Sequence, residues 1–479
     1  MGRGHRTGVF IAFAAMLVTS CATTLQGKPV SIFADPFRVA GMPAVNGESG
    51  LRPDALGPSR VVLGTDGGEI DEFGRNAVSD VEEFWESASG DAFDGEFTPV
   101  AEIHSWDSEG ENTEFCGDDM LGVSNAFYCV DDNTIGWDRG DYLPWHRDAN
   151  GDMATTMVVA HEYGHAIQEQ AALSDNDGTP ILVQEQQADC LAGVYMRWVA
   201  EGNSARFTLS TGDGLNSVLA AMISVRDPLY AKGDPEAGQD EHGSAFERVS
   251  AFQFGFTDGA SACAAIIPAE IKQRRGDLPV LLADDDTGER DITEQSVRDI
   301  VDAMGVVFEP ERPPELVFDA AELETCPDSR SRDPAVYCPA NNTIIVDLAA
   351  LQELGAKADD SDDGLATGDN TGYSVVVSRY MMALQHERGV PLDNAVAALR
   401  SACLTGVATA QMTSAINMPN GRTIAITAGD LDEAVSGLLD NGFAATDVNG
   451  ETVPAGFSRI DAYRIGVLGD EDRCFKRFA

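Results

Sequence analysis

The sequence predicts an α+β protein built from two similar halves, of which one keeps a complete set of metal-binding residues. Three observations lead to this prediction: two helical segments with histidines and carboxylates at helical spacing, short segments typical of strands, and cysteine-centred motifs that occur twice. A length of 479 residues is enough for about two domains. We therefore expect helices packed around a small mixed sheet with an edge strand, and the same arrangement repeated in tandem.

The first helical segment, residues 158–168, carries His161, Glu162 and His165 in an HExxH pattern. The two histidines are about one helical turn apart, so both imidazoles lie on the same face. Two such rings can bind one zinc ion while Glu162 stands beside the zinc-bound water as a general base. The same spacing also occurs in ordinary helices, so the motif alone leaves a non-metal interpretation open.

The second helical segment, residues 183–193, carries two carboxylates, Glu185 and Asp189, at positions i and i+4. A third protein ligand and a partner that orients a ligand imidazole are what a catalytic zinc site requires. Alone, the pair is equally typical of a solvated acidic helix face. In tandem with the HExxH helix it favours a zinc site in which Glu185 is a ligand and Asp189 supports one.

The chain begins with a segment typical of a secretory signal, residues 1–21. Arg3 and Arg6 precede an apolar run from Val9 to Val18, and small residues follow. The last four residues resemble a bacterial lipobox, which would make Cys21 the lipidated first residue of the mature protein and anchor it to the membrane. The alternative is an ordinary cleaved signal and a secreted protein, so both interpretations place the protein outside the cytoplasm.

The composition is strongly acidic, with 79 acidic against 32 basic residues and a formal net charge of -47. Such a charge repels the phosphates of nucleic acids, so we expect no nucleic acid partner. It also favours solubility, which is the simplest interpretation of it. No stretch after the signal is apolar enough to span a bilayer.

Residues 22–60 contain Gly, Pro and Ser without a sustained periodicity, so they predict a flexible tether. Folding is expected to start near Val61, with an amphipathic helix over residues 77–87 and a strand over 97–106. Residues 125–138 predict two short strands about a turn. They form either an edge strand that can pair with an extended peptide or an interior hairpin.

The nine cysteines leave an even eight when Cys21 is set aside, and paired cysteines in an exported chain imply disulfides. The motif Phe127-Tyr128-Cys129 has a counterpart in Val336-Tyr337-Cys338, and similar echoes surround the other cysteines. The repeat predicts four disulfides, which are Cys116 with Cys129, Cys190 with Cys263, Cys326 with Cys338, and Cys403 with Cys474.

The repeat also tests the proposed zinc site, because each of its residues is lost in the second copy. The aligned pairs are His161 and Ser378, Glu162 and Arg379, His165 and Met382, Glu185 and Ala398, Asp189 and Ala402, and His242 and Val453. We therefore expect a metal-binding domain over residues 61–275 and a degenerate copy over 276–479. One Zn²⁺ per chain is predicted, in the first domain only.

The first half resembles the bacterial family described as putative neutral zinc metallopeptidases. Four ordered motifs between about Val61 and Glu270 carry the resemblance, namely Ala126–Cys129, His161–Gln168, Glu185–Cys190 and His242–Ser244. The resemblance implies a zincin-like domain with a gluzincin-like site, in which His161, His165 and Glu185 bind zinc, Glu162 is the general base and Asp189 supports a ligand. One departure is Gln186, where the family usually has an apolar residue.

The expected function is that of a zinc endopeptidase which hydrolyses protein or peptide substrates outside the cytoplasm, with the inactive second copy shaping or regulating the cleft. His242, Tyr128 or Tyr163 are candidate donors to the oxyanion, although His242 and Gly243 could instead form a structural turn. The alternative function is a zinc-containing envelope scaffold or binding protein without catalysis. An intact Glu162 favours the enzyme, because a structural metal site needs no base.

Overall fold

The structure, a computed structural model, describes Met1 and residues 34–93, 95–110, 113–174, 178–235, 237, 241–284, 286–319, 321–322, 326–358 and 364–479. The predicted signal segment and its Cys21 lie outside the described residues. Among the helices that are described, none combines the length and the apolar character that a membrane span requires.

The chain alternates short strands with longer helices. The strands are β1 (Arg38–Val39), β2 (Met42–Pro43), β3 (Gly50–Leu51), β4 (Val62–Leu63), β5 (Glu102–Trp106), β6 (Glu114–Phe115), β7 (Asp118–Asp119), β8 (Ala126–Cys129), β9 (Thr134–Asp138), β10 (Phe207–Thr208), β11 (Glu315–Val317), β12 (Ala335–Cys338), β13 (Thr343–Val346), β14 (Ile416–Asn417) and β15 (Thr423–Ile424). The helices are α1 (Glu69–Ala92), α2 (Tyr142–Asn150), α3 (Asp152–Gln170), α4 (Ile181–Ala200), α5 (Asp213–Ser224), α6 (Ala245–Asp258), α7 (Ala260–Ala264), α8 (Pro268–Arg275), α9 (Glu294–Phe308), α10 (Leu348–Leu354), α11 (Asp369–Glu387), α12 (Ala395–Gln411), α13 (Asp430–Asp440), α14 (Gly456–Val467) and α15 (Glu471–Arg477). This mixture of helices and small sheets agrees with the predicted α+β class.

The first half contains a four-stranded sheet in the order β4-β5-β9-β8. Strands β4, β5 and β9 are parallel, and β8 pairs with β9 antiparallel at the edge of the sheet. The segment 125–138 therefore supplies an edge strand, as one of its two interpretations predicts. Strand β5 starts later than the sequence predicts, at Glu102, because the preceding Pro99 has no N–H to donate to a neighbouring strand.

The second half contains a three-stranded sheet in the order β11-β13-β12. Here too a parallel strand lies on one side of the central strand and an antiparallel strand on the other. Both hairpins turn at an asparagine in the left-handed region, Asn133 with φ 52° and Asn342 with φ 54°. The side chains of these asparagines accept hydrogen bonds from the hydroxyls of Tyr128 and Tyr337, at 3.1 and 2.9 Å.

Helices α3 and α4, which carry the predicted site, lie side by side at close range. A Cβ atom at Gly164 would lie 3.0 Å from the Cα atom of Ala188, so the glycine between the two histidines permits this approach. The two helices are mostly buried along their lengths. The predicted ligands of both helices are thereby held in the interior of the first half.

The two halves share one hydrophobic core and are joined by direct contacts between α6 and the second half. The rings of Phe256 and Phe457 are 5.1 Å apart, and the Gln253 amide donates to the carbonyl of Phe457 at 3.0 Å. The backbone N–H of Phe246 donates to Asp432 at 2.9 Å. The predicted boundary at residue 276 falls where α8 ends, and the division into two domains stays a prediction.

The eight described cysteines form four disulfides, in the pairs that the repeat predicts. They are Cys116–Cys129, Cys190–Cys263, Cys326–Cys338 and Cys403–Cys474. Disulfides persist mainly in oxidising compartments, so four of them are consistent with a protein that acts outside the cytoplasm.

The prediction of a flexible tether over residues 22–60 differs from the structure for residues 34–60. Strand β3 pairs with β10, and the backbone N–H of Leu51 donates to the carboxylate of Asp152 at 3.0 Å. Val39 is fully buried. These contacts join residues far apart in the chain, so a segment without internal periodicity is ordered by partners that the local sequence does not reveal.

Four carboxylates gather where α11 and α13 of the second half meet, and Arg290 is the cation that faces them. They belong to Glu289, Asp369, Asp430 and Glu433, and the last three are buried. Burial and the neighbouring carboxylates raise the pKa of Asp369 to about 8 and that of Glu433 well above its ordinary value. Burial also raises the pKa of Asp430 to about 7. A carboxyl whose pKa is raised by folding contributes its full stabilisation at a pH below its unfolded-state pKa. That contribution is lost as the pH rises through the pKa of the folded state.

We expect Glu433→Gln to stabilise the protein at about pH 8, by roughly 0.5–2 kcal/mol, the usual gain from an optimised charge. The reason is that glutamine cannot ionise, so the cost of a buried carboxyl with a raised pKa is removed at this pH. Urea unfolding in EDTA at about pH 5 and about pH 8 measures the effect, and the gain should shrink at the lower pH. Glu353→Gln, which removes an exposed carboxylate of α10, is the control. An equal effect of both variants would contradict the prediction.

Candidate metal centre

The structure brings the predicted site residues of α3 and α4 together at the bottom of one cavity. His161 and His165 lie on α3, and Glu185 faces them from α4. The Nε2 atom of His161 is 3.1 Å from one oxygen of Glu185, and the Nε2 atom of His165 is 3.5 Å from the other. Three potential ligand atoms thus converge from two rigid helices.

The Nδ1 atom of each imidazole lies against a hydrogen-bonding partner, so Nε2 points toward the other potential ligands. Nδ1 of His161 is 2.8 Å from Asp189, and Nδ1 of His165 is 2.8 Å from the side-chain oxygen of Gln168. The amide of Gln168 donates in turn to the side chain of Gln187 at 2.9 Å. Such partners fix the tautomer and the orientation of metal-binding histidines.

The geometry and the chemistry of these residues fit a zinc ion. Ligand bonds of ~2.0–2.2 Å at tetrahedral angles place neighbouring ligand atoms roughly 3.3 Å apart, close to the separations of the imidazole nitrogens from Glu185. One ligand atom from each of His161, His165 and Glu185 lies within 4.8 Å of the others. Two imidazoles and one carboxylate are the donor set of many catalytic zinc sites, which leave a fourth position open.

The charges of the centre are strongly coupled. Burial lowers the pKa of His161, but the carboxylates of Asp189 and Glu185 outweigh burial and raise this pKa to about 10. Burial raises the pKa of Glu185, and the two imidazoles outweigh it and hold that pKa well below the ordinary value. Zinc binds neutral imidazole, so loading the site must displace a proton from His161.

Arg248 of α6 completes the support of the centre, and its role was missed in the sequence. Its guanidinium donates two hydrogen bonds to Asp189, at 2.9 and 3.0 Å, and a third to the carbonyl of Val225 at 2.7 Å. Burial raises the pKa of Asp189, but Arg248 and His161 outweigh it and keep the carboxylate ionised. In the sequence this arginine belongs to none of the motifs assigned to the site, and the second half has an equivalent arginine, Arg459.

Glu162 lies beside the three potential ligands and faces the edge strand of the sheet. One of its oxygens accepts a hydrogen bond from the backbone N–H of Tyr128 in β8, at 3.2 Å. Burial raises the pKa of this carboxyl above its ordinary value, against the lowering effect of the imidazoles. Glu162 and β8 line the same cavity, whose volume is about 500 Å³.

The three candidate oxyanion donors have different positions. His242 lies at the rim, half-exposed, with Nε2 3.7 Å from Glu185 and Nδ1 3.6 Å from Asp227. Asp227 also accepts hydrogen bonds from the backbone N–H groups of His242 and Gly243. Tyr128 lines the cavity. Tyr163 is wrong as a candidate, because its hydroxyl is buried and bonded to Glu82 at 3.1 Å.

In the second half, the position aligned with Glu162 holds a buried cation. The guanidinium of Arg379 contacts Asp333 at 2.8 Å and donates to the carbonyl of Ala335 at 2.7 Å and to Thr446 at 2.9 Å. Within the described part of the chain, the other cluster of potential ligands is formed by Glu289, Asp369 and Glu433. It offers oxygen atoms alone, a donor set that suits zinc poorly.

Comparisons with known proteins agree with the motifs. Residues 53–266 match the family described as "Putative neutral zinc metallopeptidase", so the predicted resemblance is confirmed for this part of the chain. Two proteins, both named "Uncharacterized protein YpfJ", from Escherichia coli strain K12 and strain O6:H1, are each 30% identical over 156 residues. This stretch is 29% of the present chain and 53% of theirs, so the chain spans about half the length of the curated relatives it matches. No solved structure matches the chain.

Replacing Arg248 by Lys should weaken zinc binding by about 10–100-fold, because lysine cannot hold both oxygens of Asp189 and the imidazole of His161 loses its fixed orientation. Competition with a chelator of known affinity measures the effect. Arg459→Lys is the matched control, since that guanidinium donates to the backbone carbonyls of Val453 and Leu439. Equal zinc affinity in the two variants would show that Arg248 does not support the centre.

Proposed function

We propose that the first half of the chain is a zinc-dependent endopeptidase. The observation that carries the proposal is the convergence of His161, His165 and Glu185 on one point, with the carboxylate of Glu162 beside them in a cavity bordered by an edge strand. A structural zinc site has four protein ligands and no neighbouring base. Three ligands, a base and an open cavity instead suit hydrolysis.

In this proposal His161, His165 and Glu185 hold the zinc ion. Zinc, when bound, supplies a Lewis acid that polarises the substrate carbonyl and makes water a stronger acid. Glu162 takes the proton from the attacking water and passes it to the leaving amine.

The substrate is proposed to be a polypeptide in extended conformation. Among the described residues, no other strand pairs with the outer side of β8. On that side the N–H of Tyr128 bonds to Glu162, and both line the cavity. A peptide that adds to such an edge receives main-chain hydrogen bonds along its length. This mode of binding places an internal peptide bond beside the ligands and favours an endopeptidase.

His242 is proposed as the donor to the developing oxyanion. Its ring lines the cavity, and the carboxylate of Asp227, 3.6 Å from Nδ1, raises its pKa above the ordinary value. A protonated imidazole can donate a hydrogen bond to the charge that forms on the carbonyl oxygen. Asp227, which faces the ring and accepts a hydrogen bond from the backbone N–H of His242, would be the residue that positions it.

The second half is proposed to be a degenerate, non-metal-binding copy of the first. Support comes from the same arrangement of parallel and antiparallel strands, the equivalent Tyr–Asn contacts and the matching disulfides. The backbone N–H of Arg290 also bonds Asp369 as that of Leu51 bonds Asp152. The anchoring at Cys21 and the action outside the cytoplasm are part of the proposal, with secretion as the alternative.

Glu162→Gln should retain zinc and lose cleavage, with kcat/KM lower by at least about 10²-fold, because glutamine cannot accept the proton. Zinc analysis and digestion of casein or a peptide library test this on the protein from residue 22 onward. Glu169→Gln, which removes another carboxylate from the same cavity, should keep most of the activity.

One zinc per chain is expected, and two would refute the proposal for the second half. If zinc binds but the unmutated protein cleaves nothing, a zinc-containing scaffold or binding protein becomes the better description.

His242→Ala should lower kcat by about 10²-fold with a smaller change in KM, because the lost hydrogen bond forms mainly in the transition state. Steady-state kinetics on one cleaved peptide measure both constants. His104→Ala, a histidine of β5 that pairs with Glu102 at 3.2 Å, is the control. A loss of thermal stability with kcat unchanged would instead assign His242 a structural role in its turn.

A further inference from the structure

A second cavity lies where the two halves meet, next to the candidate metal centre. We call it the junction pocket; it has a volume of about 260 Å³, and its apolar walls include Leu229, Leu278, Val280, Leu281 and Leu431. Leu431 belongs to α13 of the second half, Leu229 to the first half, and the other three to the connection that follows α8. A cavity of about 150 Å³ with such walls holds a benzene ring, so the junction pocket has room for an aromatic or large aliphatic side chain.

The junction pocket and the catalytic cavity are separated by one short segment. His242 lines the catalytic cavity, and its neighbour Gly243 lines the junction pocket. Asp227, which bonds the backbone N–H groups of both residues, also lines the junction pocket. The two cavities therefore adjoin each other along the segment of His242 and Gly243.

Two buried donors at this pocket have no hydrogen-bond partner among the residues that the structure describes. They are Nη1 of Arg274, which lines the pocket and is 6% exposed, and the amide nitrogen of Gln186, which is fully buried. Gln186 is not among the lining residues, but a Cβ atom on Gly243, which lines the pocket, would lie 3.4 Å from that amide nitrogen. Gln186 therefore lies directly behind the wall of the pocket. Buried donors are nearly always paired, and two unpaired donors at one cavity point to a ligand that brings an acceptor.

The charges around the pocket indicate that this acceptor is neutral. Four carboxylates line it, from Asp227, Glu241, Glu247 and Asp432, against two guanidinium groups. Arg275 already pairs with Glu241 and Glu247, both at 2.6 Å, and the Nε atom of Arg274 donates to Glu270 at 3.0 Å. An anionic ligand would meet excess negative charge here. A neutral backbone carbonyl offers a hydrogen-bond acceptor without adding a negative charge.

We propose that the junction pocket is a specificity site for one large apolar side chain in the interior of the polypeptide substrate, with Arg274 and Gln186 receiving the backbone carbonyl of the same segment. The proposal rests on the proposed peptidase function. In this proposal the second half forms one wall of the substrate site.

The test combines cleavage with a binding measurement that needs no turnover. Peptides that differ by Phe or Ala at each position are digested with the unmutated full-length protein, and Leu229→Asp is compared with Leu56→Asp. The two leucines are 43% and 56% exposed, so neither substitution should prevent folding. We expect one position that prefers Phe, and the Phe/Ala ratio of kcat/KM there should fall at least about tenfold in Leu229→Asp. In Leu56→Asp the ratio should be unchanged.

Binding of N-acetylphenylalanine amide to the Glu162→Gln protein is followed by ligand-observed NMR. The amide should bind better than N-acetylalanine amide and better than the free acid N-acetylphenylalanine, and adding Leu229→Asp should abolish the difference.

Cleavage without an apolar preference, an equal ratio in the two leucine variants, or tighter binding of the free acid would overturn the specificity site and leave the peptidase intact. Binding of the amide without cleavage by the unmutated protein would overturn the peptidase and support the pocket. Absence of both would refute both.

Discussion

The carboxylate of Asp189 is the group on which the rest of the candidate centre depends. It is fully buried and shared between the imidazole of His161 and the guanidinium of Arg248. An ion at such a site is costly unless partners compensate it from more than one side. The partners come from α3 and α6 while Asp189 lies on α4, so these three helices must meet before the charge is stable. The orientation of His161 toward Glu185 is therefore set by folding, before any metal binds.

The packing of these helices depends on residues that take no part in the chemistry. A Cβ atom at Gly255 would lie 1.8 Å from the carbonyl oxygen of Cys190, and one at Gly466 equally close to that of Cys403. The absence of a side chain lets α6 approach α4, and α14 approach α12. Close helix contacts and the disulfides are thus independent of the metal-binding residues. A duplicated half could lose each of those residues and still fold, with Arg379 and its buried acceptors taking the place of the base.

The sequence predicts two kinds of feature in this molecule: local spacings and features that occur in both halves. The i, i+4 spacing of His161 and His165 acts within one helix. The disulfides Cys190–Cys263 and Cys403–Cys474 span 73 and 71 residues, so the repeat and not any local pattern predicts them. The contacts of residues 34–60, the role of Arg248 and the position of Tyr163 depend on partners far along the chain. The placement of Tyr163 could have been predicted from helix geometry, since its side chain leaves α3 on a different face from the histidines. No local pattern reveals that Arg248 meets Asp189.

The junction pocket between the halves also depends on residues that are far apart in the sequence. Its walls come from three distant segments. Beside them Gln186 is fully buried, and its side-chain oxygen is bound by Arg274 of α8, a partner far along the chain. A pocket of this kind cannot exist in the first half alone, because Leu431 and Asp432 belong to α13. In the proposed duplication, selection on substrate choice would preserve the shape of a second half that has none of the proposed zinc ligands. It would thus account for a half that keeps its core and its disulfides.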